Sequence, residues 1–190
     1  MKEHSLRIGA FWYPVTVFGD GNKLGVWFQG CNKHCKECIS PEFQPFNAGK
    51  ELLPSTILNK FIDEIPDGLV ISGGEPFEQP EALLDLVEEF TKKFGNDIII
   101  YTGYTIDELE NKSEPVFRKI INLTAVLIDG EYDPLKNTGI GLAGSANQNI
   151  IIRKNHDRYL NADKWKRNIM CVLNTNGRLW LIGVPPLEID

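Results

Sequence analysis

The chain has 190 residues, 42% hydrophobic and 24% charged, an ordinary globular composition with length for one domain that buries roughly 70% of its unfolded surface. A net charge of −6 excludes a generic nucleic-acid binder, whose affinity rests on clustered Lys and Arg, and leaves a protein or a small molecule as the expected partner. The opening MKEHSLRIGAFWYPV lacks a signal-peptide core, and no stretch approaches the ~18 apolar residues of a membrane span, so a cytoplasmic protein without a membrane partner is expected.

Residues Arg7 to Phe18 form a β-rich apolar run broken by Pro14 and followed by the turn Gly19-Asp20-Gly21-Asn22. Gly25-Val26-Trp27-Phe28-Gln29 reads as a short buried strand that delivers the chain into Cys31. After an irregular stretch from Pro41 to Gly49, Pro54-Ser55 opens a helix with Ile57, Leu58, Phe61, Ile62 and Ile65 on one face, ended by Pro66-Asp67-Gly68. Leu69 to Ser72 is a strand stopping at Gly73-Gly74-Glu75-Pro76, and a helix follows from about Pro80 to Phe94. Asp97 to Tyr101 is another strand, then come helical pieces over Ile106 to Leu109 and Val116 to Ile121, and Ala125 to Ile128 repeats the strand pattern before Asp129-Gly130. Nearly all-apolar strands alternating with helices predict a parallel sheet covered by helices, with right-handed crossovers. The strand ends gather at one edge, where the cysteine loop, Gly73-Gly74-Glu75, Thr102-Gly103-Tyr104 and Asp129-Gly130 should converge on one cleft. GIGLAGSANQNIIIR, from Gly139 to Arg153, leads into one more strand; its glycine pattern opens no helix and is a chance dinucleotide match. Met170 to Leu173 and Leu179 to Val184, around Asn174-Thr175-Asn176-Gly177, predict a hairpin added at a sheet edge.

Cys31, Cys35 and Cys38 put three soft thiolates within eight residues, a spacing that points to a metal. Zinc needs a fourth ligand, for which His34, His4, His156 or Cys171 are the candidates, whereas an iron–sulfur cluster on three cysteines leaves one iron open to a ligand. Both remain possible from spacing alone. Gly73-Gly74-Glu75-Pro76 is either plain turn punctuation or a backbone against which an ammonium-bearing ligand can lie. Cys171 reads as a buried small hydrophobe, and Trp27, Phe28 and Trp180 read as core.

Taken together, the cysteine loop after one strand and Gly-Gly-Glu-Pro after the next resemble the radical S-adenosylmethionine enzymes. Phe28-Gln29-Gly30-Cys31, Ser72 to Pro76, Tyr101 to Tyr104, Leu127 to Gly130 and Gly144-Ser145-Ala146-Asn147-Gln148 narrow the resemblance to the activating proteins of anaerobic ribonucleotide reductases, from about Arg7 to Arg153. The fold this implies is α/β, a partial (βα)-barrel with a parallel sheet over residues 1–153, plus a C-terminal hairpin extension over 154–190 packed on the same domain. The implied cofactors are a [4Fe-4S] cluster held by Cys31, Cys35 and Cys38, and S-adenosylmethionine chelating the fourth iron. Gly73, Gly74 and Glu75 would receive its amino group, Glu37, Cys38 and Ile39 would pass near its adenine, and Ser145 and Asn147 would line the far side. No catalytic residue beyond the cluster is implied. The implied reaction is reductive cleavage of S-adenosylmethionine and formation of a glycyl radical on the large subunit of the reductase, with flavodoxin or ferredoxin as electron donor. A small-molecule substrate or another glycyl-radical protein is the alternative within the superfamily, and a zinc-binding module without catalysis is the alternative outside it. Glu37, Ala143 in place of a common Arg, and the tail from Lys154 depart from the pattern.

Overall fold

The structure, a computed structural model, describes residues 3–173, 177 and 179–187. Four parallel strands form its centre: β2 (Lys23–Phe28), β4 (Gly68–Gly73), β5 (Ile98–Tyr101) and β6 (Val126–Asp129). Antiparallel strands flank them, β1 (Leu6–Val15) and the three-residue β3 (Lys50–Leu52) on one side and β7 (Asn149–Ile152) on the other. The sheet order is β3-β1-β2-β4-β5-β6-β7.

Alternate residues of each strand face opposite sides, and both sides are buried, which is why the strands read as continuous apolar runs. Leu24, Val26, Leu69, Ile71, Ile98, Ile100 and Leu127 face the helices α1 (Pro54–Leu58), α2 (Pro80–Lys93) and α4 (Pro115–Leu123). Each of these three helices begins with proline, whose missing N–H costs nothing in the first turn. The short α3 (Ile106–Glu110) instead starts with a capping box, Thr105 and Glu108 satisfying each other's backbone N–H. The helix expected to run to Ile65 stops earlier. After Leu58 a 3-10 turn over Asn59–Phe61 takes over, so Ile57 and Leu58 are buried but Ile62 and Ile65 are exposed.

The opposite side of the sheet carries a second core. Val70, Ile99, Val126 and Ile128 pack there with Phe18, Leu142, Tyr159, Ala162 and Ile182. The last three come from residues beyond the final strand of the sheet, so this face is covered by the C-terminal segment. The hairpin β8 (Met170–Leu173) and β9 (Leu179–Ile182) forms a two-stranded sheet of its own, paired Met170↔Ile182 and Val172↔Trp180, and not the expected addition at a sheet edge. The expected turn at Asn174-Thr175-Asn176 lies outside the described residues. With one hairpin face packed inward, Cys171 falls on the other and is exposed, contrary to the expected burial.

Two buried polar groups fasten this segment. Asp97 accepts from Lys23 Nζ at 2.6 Å and from Tyr159 OH at 2.8 Å, joining the start of β2, the approach to β5 and the C-terminal segment. Arg167, 6% exposed, donates to the carbonyls of Gly141, Ala143, Gly144 and Pro185 and to Asn137 Oδ1.

Candidate metal centre and its cleft

Parallel pairing in register brings the carboxyl ends of β2, β4, β5 and β6 to one edge, with Phe28 opposite Gly73 and Tyr101 opposite Ile128. A cleft of about 540 Å³ opens there, lined by Cys31, Cys35 and Cys38 together with Gly73, Gly74, Glu75, Thr102, Gly103, Gly130 and Tyr132. The four loops expected to converge do so.

The cysteine loop has no ladder of its own and is held at its ends. Gly30 N donates to Phe43 O at 2.8 Å and Cys31 N to Gln44 O at 3.0 Å. The buried Gln29 side chain donates to the carbonyls of Glu42 and Pro45, strapping the returning segment to the end of β2. Between the thiols, His34 and Glu37 take left-handed backbone conformations (φ 50° and 54°) that wind the loop tightly, a conformation a residue with a Cβ rarely adopts. The three cysteines are free and half-buried. Burial pushes the Cys31 and Cys35 thiols up, so binding a metal there would release protons.

Gly73 and Gly74 let the loop after β4 close onto this entry. A Cβ at Gly73, where φ is +96°, would lie 2.5 Å from Phe28 O, and one at Gly74 would collide with Gly30 O. Gly74 N and Glu75 N donate to those same carbonyls at 2.8 Å. The two glycines are therefore demanded by the protein's own backbone packing, which fixes the cysteine loop against the neighbouring strand end.

Glu75, 1% exposed, spends its carboxylate on the chain. It accepts from Phe77 N at 3.0 Å, Thr102 Oγ1 at 2.8 Å and Gly103 N at 2.7 Å, locking the loops after β4 and β5 together. Burial pushes it up to about 7, against the opposing effect of these donors and of Lys33. Lys33 Nζ lies 3.8 Å from the Tyr104 ring centroid and within 4 Å of Glu108 and Glu131, so the cysteine loop is also tied to the loops after β5 and β6. The Tyr104 hydroxyl, pushed up to about 12 chiefly by burial, donates to Glu78 at 2.5 Å.

Cys31, Cys35, Cys38, Ile39, Gly73, Gly74 and Glu75 line the cleft; Glu37, Ser145 and Asn147 do not. Glu37 is exposed, Ser145 Oγ accepts from Asp133 N at 3.1 Å, and Asn147 Nδ2 donates to Glu131 O at 2.8 Å. Ser145 and Asn147 thus brace the 131–133 segment, which presents Tyr132 to the cleft. Gly144 and Gln148 are the residues of that motif that reach it: Gln148 Oε1 accepts from Gly144 N and Ser145 N while its Nε2 donates to Gly130 O. Trp27 and Trp180, expected as core, line the cleft as well.

The donor set suits a cluster better than a lone ion. Among the described residues no group of three His, Cys, Asp or Glu side chains is placed to hold a single metal ion, and of the zinc candidates only His34 belongs to the cysteine loop, where it is exposed. His4 pairs with Asp85, His156 is buried beside Asp157, and Cys171 stands exposed on the hairpin. A cluster takes one cysteine sulfur per iron, and the three thiols that line this cleft would serve three of four irons.

A 4Fe-4S single cluster domain model matches residues 17–151. The anaerobic ribonucleoside-triphosphate reductase-activating protein of Haemophilus influenzae is 31% identical over 150 residues, 73% of this chain and 94% of that protein. The protein of the same name from Pasteurella multocida is 32% identical over 154 residues, 75% of this chain and 94% of its own. The chain belongs to the family of anaerobic ribonucleoside-triphosphate reductase-activating proteins. The pyruvate formate-lyase-activating enzyme of Clostridium pasteurianum is more distant, 36% identical over 94 residues, 46% of this chain and 40% of that one. All three cysteines and all four cleft loops fall inside the segment matched by the domain model, whereas the β8–β9 hairpin falls outside it.

Proposed function

We propose that Cys31, Cys35 and Cys38 hold a [4Fe-4S] cluster in this cleft and that the chain, with S-adenosylmethionine bound beside it, generates a glycyl radical on an anaerobic ribonucleotide reductase. The observation that carries this reading is the opening of three thiols from one loop into the same cleft as the Gly73-Gly74 backbone, in a member of this family. Held there, the cluster would supply the one electron needed for reductive cleavage of S-adenosylmethionine and so the radical chemistry by which a hydrogen atom is taken from a glycine of the partner.

The chain's own residues bind, orient and exclude water. The thiolates fix the cluster, and the Gln29 strap holds their loop in place. Because the Glu75 carboxylate already has three donors, the amino group of the ligand is received by backbone carbonyls of the Gly73-Gly74 segment, with Glu75 as the tie that positions them. Ile39 and the backbone beside Cys38, including Glu37, take the adenine side, while Ser145 and Asn147 act from behind through the 131–133 segment. Residues 154–190 belong to the same folding unit as 1–153, since Tyr159, Ala162 and Ile182 complete its second core. The electron comes from a small redox protein such as flavodoxin or ferredoxin, and the work is done in the cytoplasm; no helix among the described residues is long and apolar enough to cross a membrane.

Anaerobic reconstitution with iron and sulfide tests the reading. Wild type and Cys171→Ser take up iron and sulfide in equal amounts with the broad visible absorption of a cluster, and Cys38→Ala does not. Equal loss from both variants, or uptake of zinc alone, would overturn it.

A further inference from the structure

The cleft has a wall that comes from the far end of the chain. Residues 179–184, which are β9 and the two residues after it, line the same cleft as the three cysteines. Ile182 is 3% exposed and anchors the strand in the second core, where Met170, Val172 and Val184 also pack. The Trp180 ring meets Trp12 of β1 edge-on, with centroids 6.4 Å apart. Arg167 ties the approach to β8 and the carbonyl of Pro185 to the 141–144 backbone, whose Gly144 also lines the cleft. The wall is therefore fixed at both ends and lines the same cleft as a loop that has no regular structure of its own.

We infer that β9 shields the metal group of this cleft, with Trp180 and Leu181 as the residues that set how fast solvent-borne molecules reach the three thiols. The inference rests on the reading of the thiols given above. A cluster on half-buried cysteines is open to a chelator that enters the cleft, and on the cysteine side Ile39, Phe43 and Trp27 supply part of its apolar lining. Further apolar cover comes from β9, in a part of the chain beyond the segment that the domain model matches. These are positioning residues; they do not ligate.

The test is the rate at which EDTA bleaches the visible absorption of the anaerobically reconstituted protein. Trp180→Ala and Leu181→Ser should lose their absorption roughly fivefold faster than wild type, the change expected from a modest loss of local stability. Leu181 is 58% exposed, so its replacement leaves folding intact even if that of Trp180 does not. Leu173→Ser is the control, since Leu173 is 68% exposed on the same hairpin and does not line the cleft; it should bleach at the wild-type rate. Equal rates for Leu181→Ser and wild type, or equal acceleration by Leu173→Ser, would overturn the inference while leaving the cluster assignment standing. A wild type that takes up no iron would instead overturn the reading of the thiols and the inference with it.

Discussion

Glu75 is a buried carboxyl with a raised pKa and three hydrogen-bond donors, and it makes stability depend on pH in a defined direction. A carboxyl that goes from 4.5 in the unfolded chain to about 7 in the folded one keeps its proton longer when folded. Its contribution is greatest below pH 4.5, falls as pH rises to about 7, and is constant above. Glu75→Gln removes this titration, so the variant should gain on wild type by about 3 kcal/mol across that window, measured as urea midpoints at several pH values. A pH-independent difference would contradict the assignment. Sequence spacing could not supply this role, because Thr102 lies 27 residues from Glu75 and only the sheet brings them together. The cysteines were legible for the opposite reason: three thiols within eight residues are close whatever the fold. Gly73 and Gly74 were legible as a turn, but the partner they make room for, the Phe28 to Gly30 backbone, is a tertiary neighbour.

At the scale of elements, the parallel strands were readable because burial on both faces leaves an unbroken apolar run at each of them. The hairpin was readable as a pair of strands but not in its location, since short alternating strands fit a sheet edge and a separate layer equally well. What decides its place is Arg167, a residue no local pattern singles out, together with Ile182 in the second core. Arg167→Met should cost about 3 kcal/mol, because several buried carbonyls lose a charged donor together, and chemical denaturation would register it. Arg167→Lys should recover only part of that loss, as an ammonium with three N–H groups cannot serve five acceptors in a plane. A neutral Arg167→Met would mean that water replaces the guanidinium and that the hairpin is held by apolar packing alone.

For the whole molecule, one sheet does two things. Its helix-covered face is a conventional core, and its other face, closed by the C-terminal segment, supports a cleft at the strand ends where all four loops meet. The 4Fe-4S domain model matches 17–151, and a wall of the cleft comes from beyond that segment. A cofactor that carries the hard chemistry needs from the protein a dry, shaped site with a mouth for its substrate, and a partner protein docking over the strand ends would seal it. The most direct test of the radical chemistry is electron paramagnetic resonance of an anaerobic ribonucleoside-triphosphate reductase after incubation with the reconstituted, reduced protein and S-adenosylmethionine. The account predicts a carbon-centred radical split by a single α-hydrogen on the reductase, accompanied by 5′-deoxyadenosine and absent with Cys31→Ala. Formation of 5′-deoxyadenosine with no radical on the reductase would contradict it and point to a different substrate.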